Sequence, residues 1–342
     1  MTMQLTLLFI ILLGLLAPLP CEAKNQEFKA DLKASTQRQQ QSRSESISPY
    51  LIEWLVDISG DVDLRQIWRL LKIEIPYDLP YKCAGDCSAE IFDIKVDGEE
   101  QGKTVALKIS FESKYFYQYL FFKRAKTDST KERWKLIGNV DSSNQRNGPP
   151  HHRIESGDNR TWFVIRNSRG RGPVALGYDE VWYEIREGEV REVLSYPVQG
   201  HYAPCQRYLG RSYKSLLLRH ELENGLYTVP VQLLISYNIS ECGKGIESPA
   251  LFAKGQKALY VWDREKDRFI LDKSRSDITE SEISSVYHTE ELSPEKFIEH
   301  NFNELSAIAK SGDAEQKDWL KKFLASIKDG PLKAALQQSF QE

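Results

Sequence analysis

Hydrophobic and polar positions change period twice along this chain. Leu64, Ile67, Trp68 and Leu71 fall at i, i+3, i+4 and i+7 and predict an amphipathic helix, with Asp61 or Asp63 available as its N-cap. Just before it, Ser48-Pro49 combines a capping residue with a proline at the first helical position, and Leu51, Leu55 and Ile58 follow along one face. From Ala89 the period drops to two: Val105, Leu107, Ile109 and Phe111 alternate with Ala106, Lys108, Ser110 and Glu112, as a strand requires. Further strands are predicted at 115–123, 134–140, 162–166, 181–186 and 190–196. Leu216, Leu218, His220 and Leu222 alternate again. The longest ladder is Val229, Val231, Leu233, Ile235, Tyr237 and Ile239, and Pro230 within it predicts an edge strand or a bulge, because proline brings no N–H to a sheet. A last hairpin joins 259–262 to 269–271 through a polar turn from Asp263 to Asp267.

The helical period returns after Ile278. Thr279 and Glu282 have the spacing of a capping box, and Ser293-Pro294 opens a second helix with Phe297, Phe302, Leu305 and Ile308 apolar. Trp319, Leu320, Phe323, Leu324 and Ile327 form one more stripe, and Gly330-Pro331 breaks the chain before Leu332, Leu336 and Phe340 form another. Such stripes predict packing against a neighbouring element. The fold class that follows is α+β: N-terminal helices over 47–75, a large antiparallel β-rich domain over 76–277 of about ten strands, and a C-terminal helical segment over 278–342. The sheet domain is expected to be a sandwich, barrel-like or irregular. A β-propeller-like arrangement is the alternative, suggested by aromatic hairpins near Phe122/Trp134, Trp182/Val193 and Trp262/Phe269. These units resemble those of NTF2-like domains and propeller blades alike, and their unequal spacing gives no fixed repeat. Strands and helices do not alternate, which excludes a Rossmann-type site.

Leu5 to Leu16 is an apolar run broken only by Thr6 and Gly14, and a small-residue stretch follows Pro18 and Pro20. This predicts a signal peptide over 1–23, cut after Ala23, although its first four residues contain no Lys or Arg. Lipid attachment at Cys21 is disfavoured by Pro20 before it, and an uncleaved anchor by a run shorter than the roughly 20 residues of a bilayer span. Residues 24–46, rich in Gln, Ser, Arg and Lys, read as a disordered tether. The expectation is an exported, periplasmic or extracellular protein with no membrane span after signal removal.

Composition narrows the partners. With 342 residues and 41% hydrophobic content the chain can bury a real core, and a formal charge of −3 gives no global attraction to nucleic acid or anionic membrane. Any polyanion site is therefore local. Beyond Cys21 four cysteines remain, which in an oxidising compartment predicts disulfides; the pairing expected is Cys83 with Cys87 and Cys205 with Cys242. A zinc site using His201 and Cys205 with the first cysteine pair is the weaker competitor, so no metal is assigned.

Motifs that announce an enzyme are missing from the sequence: there is no Gly-x-Ser-x-Gly, no His-Glu-x-x-His and no phosphate-binding glycine loop, and no cofactor is implied. Asp57 to Asp63 has the alternate acids of a calcium loop but meets Trp68 where the closing glutamate belongs, so it reads as a helix break followed by a capping acid. His220, in register with leucines, reads as a core or edge histidine. Asn159-Arg160-Thr161 and Asn238-Ile239-Ser240 match the glycosylation pattern. The outstanding feature is a basic island holding Arg146, Arg153, Arg160, Arg166, Arg169 and Arg171 against only Glu155 and Asp158. Its end, with Arg169 and Arg171 across Gly170, suits a carboxylate, sulfate or phosphate. The candidate anion site is Arg166, Arg169 and Arg171, with His151 and His152 nearby. The function expected is an exported binding or interaction module of the envelope or extracellular space, with an acidic polymer or envelope component as partner and no nucleic acid. The alternative is a secreted hydrolase whose site is assembled from distant residues.

Overall fold

Two antiparallel sheets carry the architecture, one of four strands and one of nine, with helices before and after them. The computed structural model describes residues 47–59, 63–73, 87–99, 103–111, 116–125, 133–143, 151–157, 159–169, 175–186, 188–202, 209–218, 221–223, 226–239, 250–287 and 293–341. The expected signal peptide and tether lie outside these residues. The chain divides into two compact units, Met1–Lys95 with Glu99–Asp141, and Val96–Gly98 with Ser142–Glu342.

The first unit contains α1 (Pro49–Ser59), α2 (Leu64–Leu71) and the meander β1 (Cys87–Ile94), β2 (Thr104–Phe111), β3 (Phe116–Ala125) and β4 (Arg133–Ser143), paired in that order. The period-two face of β2, Val105, Leu107, Ile109 and Phe111, packs with Leu64, Ile67 and Trp68 of α2 and with Ile52 and Val56 of α1. On α1 the buried set is Ile52, Leu55 and Val56, while Leu51 is half-buried. The stripe is thus rotated from the expected one, because Ile52 and Val56 reach the β2 core and Leu51 does not. Asp63 caps α2 by accepting from the Arg65 N–H at 3.1 Å, the capping acid expected there. Lys72, with φ 56°, closes the helix in the left-handed conformation. One helical turn apart on α1, Glu53 and Asp57 accept the N–H groups of Ile91 at 3.0 Å and Ala89 at 3.1 Å, so acids satisfy alternate donors on the outer edge of β1.

The second unit contains β5 (His152–Gly157), β6 (Arg160–Arg169), β7 (Ala175–Arg186), β8 (Glu189–Tyr202), β9 (Leu209–Leu217), β10 (Glu221–Glu223), β11 (Leu226–Ile239), β12 (Ala250–Asp263) and β13 (Arg268–Leu271). The sheet runs β13-β12-β11-β9-β8-β7-β6-β5, with β10 hydrogen-bonded to β11. It is one continuous path rather than a ring of four-stranded blades, so the propeller alternative is not the architecture, and the described strands form no closed barrel.

β8 is the strand on which this sheet turns. It pairs with β7 from end to end but with β9 only through Gln199 to Tyr202. At the fork, Asp179 pairs with Pro197 and Tyr178 with Gln199, leaving Val198 as an extra residue in a bulge. A bulge bends its strand, and proline offers no N–H to a further neighbour, so β9 peels away there. Beyond the fork the two halves of the sheet curl together: Trp162 of β6 lies 4.6 Å from Tyr227 of β11 and 6.0 Å from Phe269 of β13 between ring centroids, and Tyr196 of β8 stacks on Tyr260 of β12 at 6.1 Å.

Two expectations about this unit are corrected. Pro230 sits in a central strand, not at an edge or bulge; it falls where the neighbour of β11 changes from β9, ending at the Val231/Leu217 pair, to β10, starting at Thr228/Glu221. The missing donor is not needed in that gap, and the Pro230 carbonyl still accepts from Leu218 N–H at 3.1 Å. Leu216 and Leu218, read as an apolar strand face, are 63% and 41% exposed, beside Leu234 on β11 at 50%. Alternation defines which residues share a face, not whether anything covers it.

The C-terminal helices α3 (Glu280–Tyr287), α4 (Pro294–His300), α5 (Phe302–Ser311), α6 (Ala314–Ser326) and α7 (Pro331–Gln338) fill the other end of the same core. Phe297 of α4 meets Tyr237 of β11 at 5.4 Å and Phe323 of α6 at 5.7 Å. Both predicted caps form: Thr279 and Glu282 exchange bonds of 2.9 and 3.2 Å, and Ser293 accepts from Lys296 N–H at 3.3 Å with Pro294 following.

Candidate functional site

The inner face of β7 carries acids where alternation would otherwise place core residues. Glu180, Trp182 and Glu184 share this face and are all buried. An isolated buried carboxylate is costly, so each acid has cations. Glu180 accepts both guanidinium nitrogens of Arg153 at 2.8 and 2.7 Å, together with the Tyr196 hydroxyl and the Trp182 indole N–H at 3.2 Å. Burial works to raise the Glu180 carboxyl, but the bonds and charge of Arg153, with Tyr196 and Trp182, hold it below its ordinary value. Burial first, then the neighbouring Glu180 charge, pushes the Tyr196 phenol far up, so it stays a donor.

Glu184 is held by Arg160 and, at 2.9 Å, by Arg191. Arg191 also bonds Asp267 in the β12–β13 turn at 2.6 Å, and the Arg160 guanidinium lies 4.1 Å from the centre of the Trp262 ring. This network ties the turn at one end of the curled sheet to β6, β7 and β8. A third buried acid, Glu282, receives Lys254 Nζ at 3.1 Å, and its carboxyl too is net lowered: burial raises it, while the Thr279 N–H and the Lys254 charge outweigh that.

Two concavities adjoin the network. A polar cavity of about 310 Å³ is lined by Glu184, Arg186, Glu189, Arg191 and Asp267. A groove of about 660 Å³ runs between Glu192–Ser195 of β8 and Arg268–Leu271 of β13, rimmed by Lys266, Lys273 and Glu280. Glu180, Glu184 and Glu282 are each engaged by cations, and charged residues of both signs line both concavities.

The structure scatters the basic island. Arg153 and Arg160 are internal partners of Glu180 and Glu184, while Arg146 and Arg171 lie outside the described residues. Trp162, Phe163, Val164 and Ile165 are all buried, and Arg166 after them is half-buried, as both apolar faces of that strand imply. His151 and His152 come beside Arg166: the Arg166 N–H donates to the His151 carbonyl at 3.3 Å, and His152 stacks on Phe163 at 5.6 Å. Arg169 ends β6 opposite Gly177, and its side chain is outside the description. Cys83, Cys205, Cys242 and His220 lie outside the described residues, whereas Cys87 opens β1 and His201 is half-buried on β8. Among the described residues no group of three His, Cys, Asp or Glu is placed to hold a metal ion, and no helix is long and apolar enough to cross a membrane.

The sequence reading missed Glu180, Glu184 and the groove. A signal was present: two acids four apart flank Trp182 in a strand whose other face carries Val181, Tyr183 and Ile185, and two arginines seven apart, Arg153 and Arg160, precede them. No protein-family model, curated protein or solved structure matches the chain.

Proposed function

We propose that this chain is an exported binding or interaction module of the cell envelope or extracellular space, and that its ligand carries an anionic group. The observation that carries this reading is the engagement of Glu180, Glu184 and Glu282 by Arg153, Arg160, Arg191 and Lys254, which leaves these buried acids as structural ion pairs rather than groups poised to exchange protons. Arg166, Arg169 and Arg171, with His151 and His152, are the residues expected to hold the anion; of these, Arg166 follows the apolar part of β6, with His151 and His152 beside it. Cleavage after Ala23 releases the mature chain, and disulfides between Cys83 and Cys87 and between Cys205 and Cys242 brace it.

The experiment that tests the reading is a screen of the purified full-length secreted protein against cell-wall and acidic polysaccharides, scored for both binding and cleavage. Saturable, salt-sensitive binding without cleavage is expected. Cleavage of any of these polymers would transfer the assignment to the hydrolase class.

A further inference from the structure

We propose that the outward face of β9, β11 and β12 docks on an anionic lipid surface. The inference goes beyond the reading of the chain as an anion-binding module and does not use the arginines at the end of β6.

Strand register defines this face. Leu233 and Ile235 of β11 belong to the buried core and Leu217 of β9 packs against it, so Leu216, Leu218 and Leu234 point the other way. On an antiparallel sheet with one open face those outward positions are ordinarily polar, and here they hold three exposed leucines. Leu216 pairs with Gln232 and Leu234 with Lys214, which makes the two leucines diagonal neighbours on adjacent strands. On the far side of Leu234 its partner is Gly255, so no side chain from β12 shields it.

Charge then selects the partner. The four rows of the face run from Ser212, Ser236 and Ala253 to Leu218, Pro230 and Leu259, and they contain Lys214 and Lys257 but neither Asp nor Glu. Among the described residues neither lysine makes an ion pair. Acids return at the rim: Glu221 lies in the next row opposite Thr228, and the Asp277 carboxylate accepts the backbone N–H of Lys257 at 3.3 Å. In a chain with 49 acids against 46 Lys and Arg, a face whose charges are all cationic reverses the overall sign locally.

Size argues for lipid over protein. Three strands and four rows span roughly 14 by 20 Å, whereas a stable protein interface takes about 800 Å² from each partner. A bilayer surface requires neither that area nor a complementary shape. Leucines enter the headgroup boundary, and lysines beside them are drawn to anionic lipid. The strands keep their own hydrogen bonds throughout, so this is docking on a surface and not a span.

The test is co-sedimentation of the purified secreted protein with vesicles of phosphatidylcholine alone, and of three parts phosphatidylcholine to one part phosphatidylglycerol. Saturable, salt-sensitive binding to the anionic vesicles is expected, with little to the neutral ones. Leu216→Ser with Leu234→Ser should weaken it by about tenfold or more, and Lys214→Gln with Lys257→Gln by a similar factor with loss of the salt dependence. All four side chains lie on the outward face, so melting temperature should stay near that of the parent. Arg169→Gln with Arg171→Gln should leave vesicle binding unchanged, which separates this face from the anion site; loss of polysaccharide retention alone would overturn only that other reading. Absence of binding to anionic vesicles would overturn the proposal. So would equal binding to neutral vesicles, or equal binding by the leucine variant. A parent that is dimeric in solution and becomes monomeric in the leucine variant would assign the face to a second copy of the chain instead.

Discussion

The guanidinium of Arg153 on β5 reaches past β6 to grip both carboxylate oxygens of Glu180 on β7, at 2.8 and 2.7 Å. Arg153→Met would leave Glu180 buried with only Tyr196 and Trp182 as donors. The expected cost is about 2–3 kcal/mol, below that of a fully buried pair because Arg153 is 37% exposed. Arg153→Met with Glu180→Leu should be less destabilising than Arg153→Met alone. Chemical denaturation of the four members of this cycle checks it; additive effects would show that the two residues do not act as a pair.

Acid sensitivity follows from the same pair and from Glu282. Both carboxyls are held below their ordinary values in the folded chain, so the folded state keeps its carboxylates down to a pH at which the unfolded state already binds protons. Their stabilisation is complete above the ordinary carboxylate range and is lost as pH falls through the lowered folded values. Melting temperature should therefore fall on acidification through that range. Replacing Glu180 by Gln should flatten the dependence, and an unchanged slope would exclude it as a contributor.

Gly157 tests the curl of the large sheet. A Cβ at this position would lie 2.6 Å from Cε2 of Tyr227, whose ring is buried against Trp162. Gly157→Ala forces that ring off its partner and should cost about 1–3 kcal/mol, a fall of several degrees in melting temperature. A neutral result would mean that β5 does not approach β11 this closely.

Local chemistry made part of this fold legible. The Thr279/Glu282 box, the Ser293-Pro294 start and the Asp63 cap depend on residues within a few positions of one another, and all three form as expected. The α+β order was legible for the same reason, because period follows from local sequence. What pattern alone does not provide is register. Whether Arg153 and Arg160 face solvent or Glu180 and Glu184 depends on which residues lie opposite across two strand pairings, and the basic island therefore looked more exposed than it is. The fork at Pro197 and Val198, where β9 leaves β8, coincides with a bulge on the pairing with β7, invisible until that pairing is known. Leu216, Leu218 and Leu234 show the converse limit: their alternation is real and their face is open.

The capped edge of β1 gives a further prediction. Glu53→Gln with Asp57→Asn replaces charge-assisted bonds to two strand amides by neutral ones, and should weaken the unit by about 1–2 kcal/mol. Faster amide exchange at Ala89 and Ile91, with little change at Leu107, would confirm that the loss is local. Unchanged exchange would show that these acids do not protect the edge.

The most direct measurement of the central claim is retention on an acidic-polymer column at low salt, comparing the parent protein with Arg169→Gln/Arg171→Gln. If the chain is an anion-binding module that uses the end of β6, the parent is retained, salt releases it, and the double variant passes through with a melting temperature nearly unchanged. Equal retention of the two proteins, or unfolding of the variant, would contradict that account.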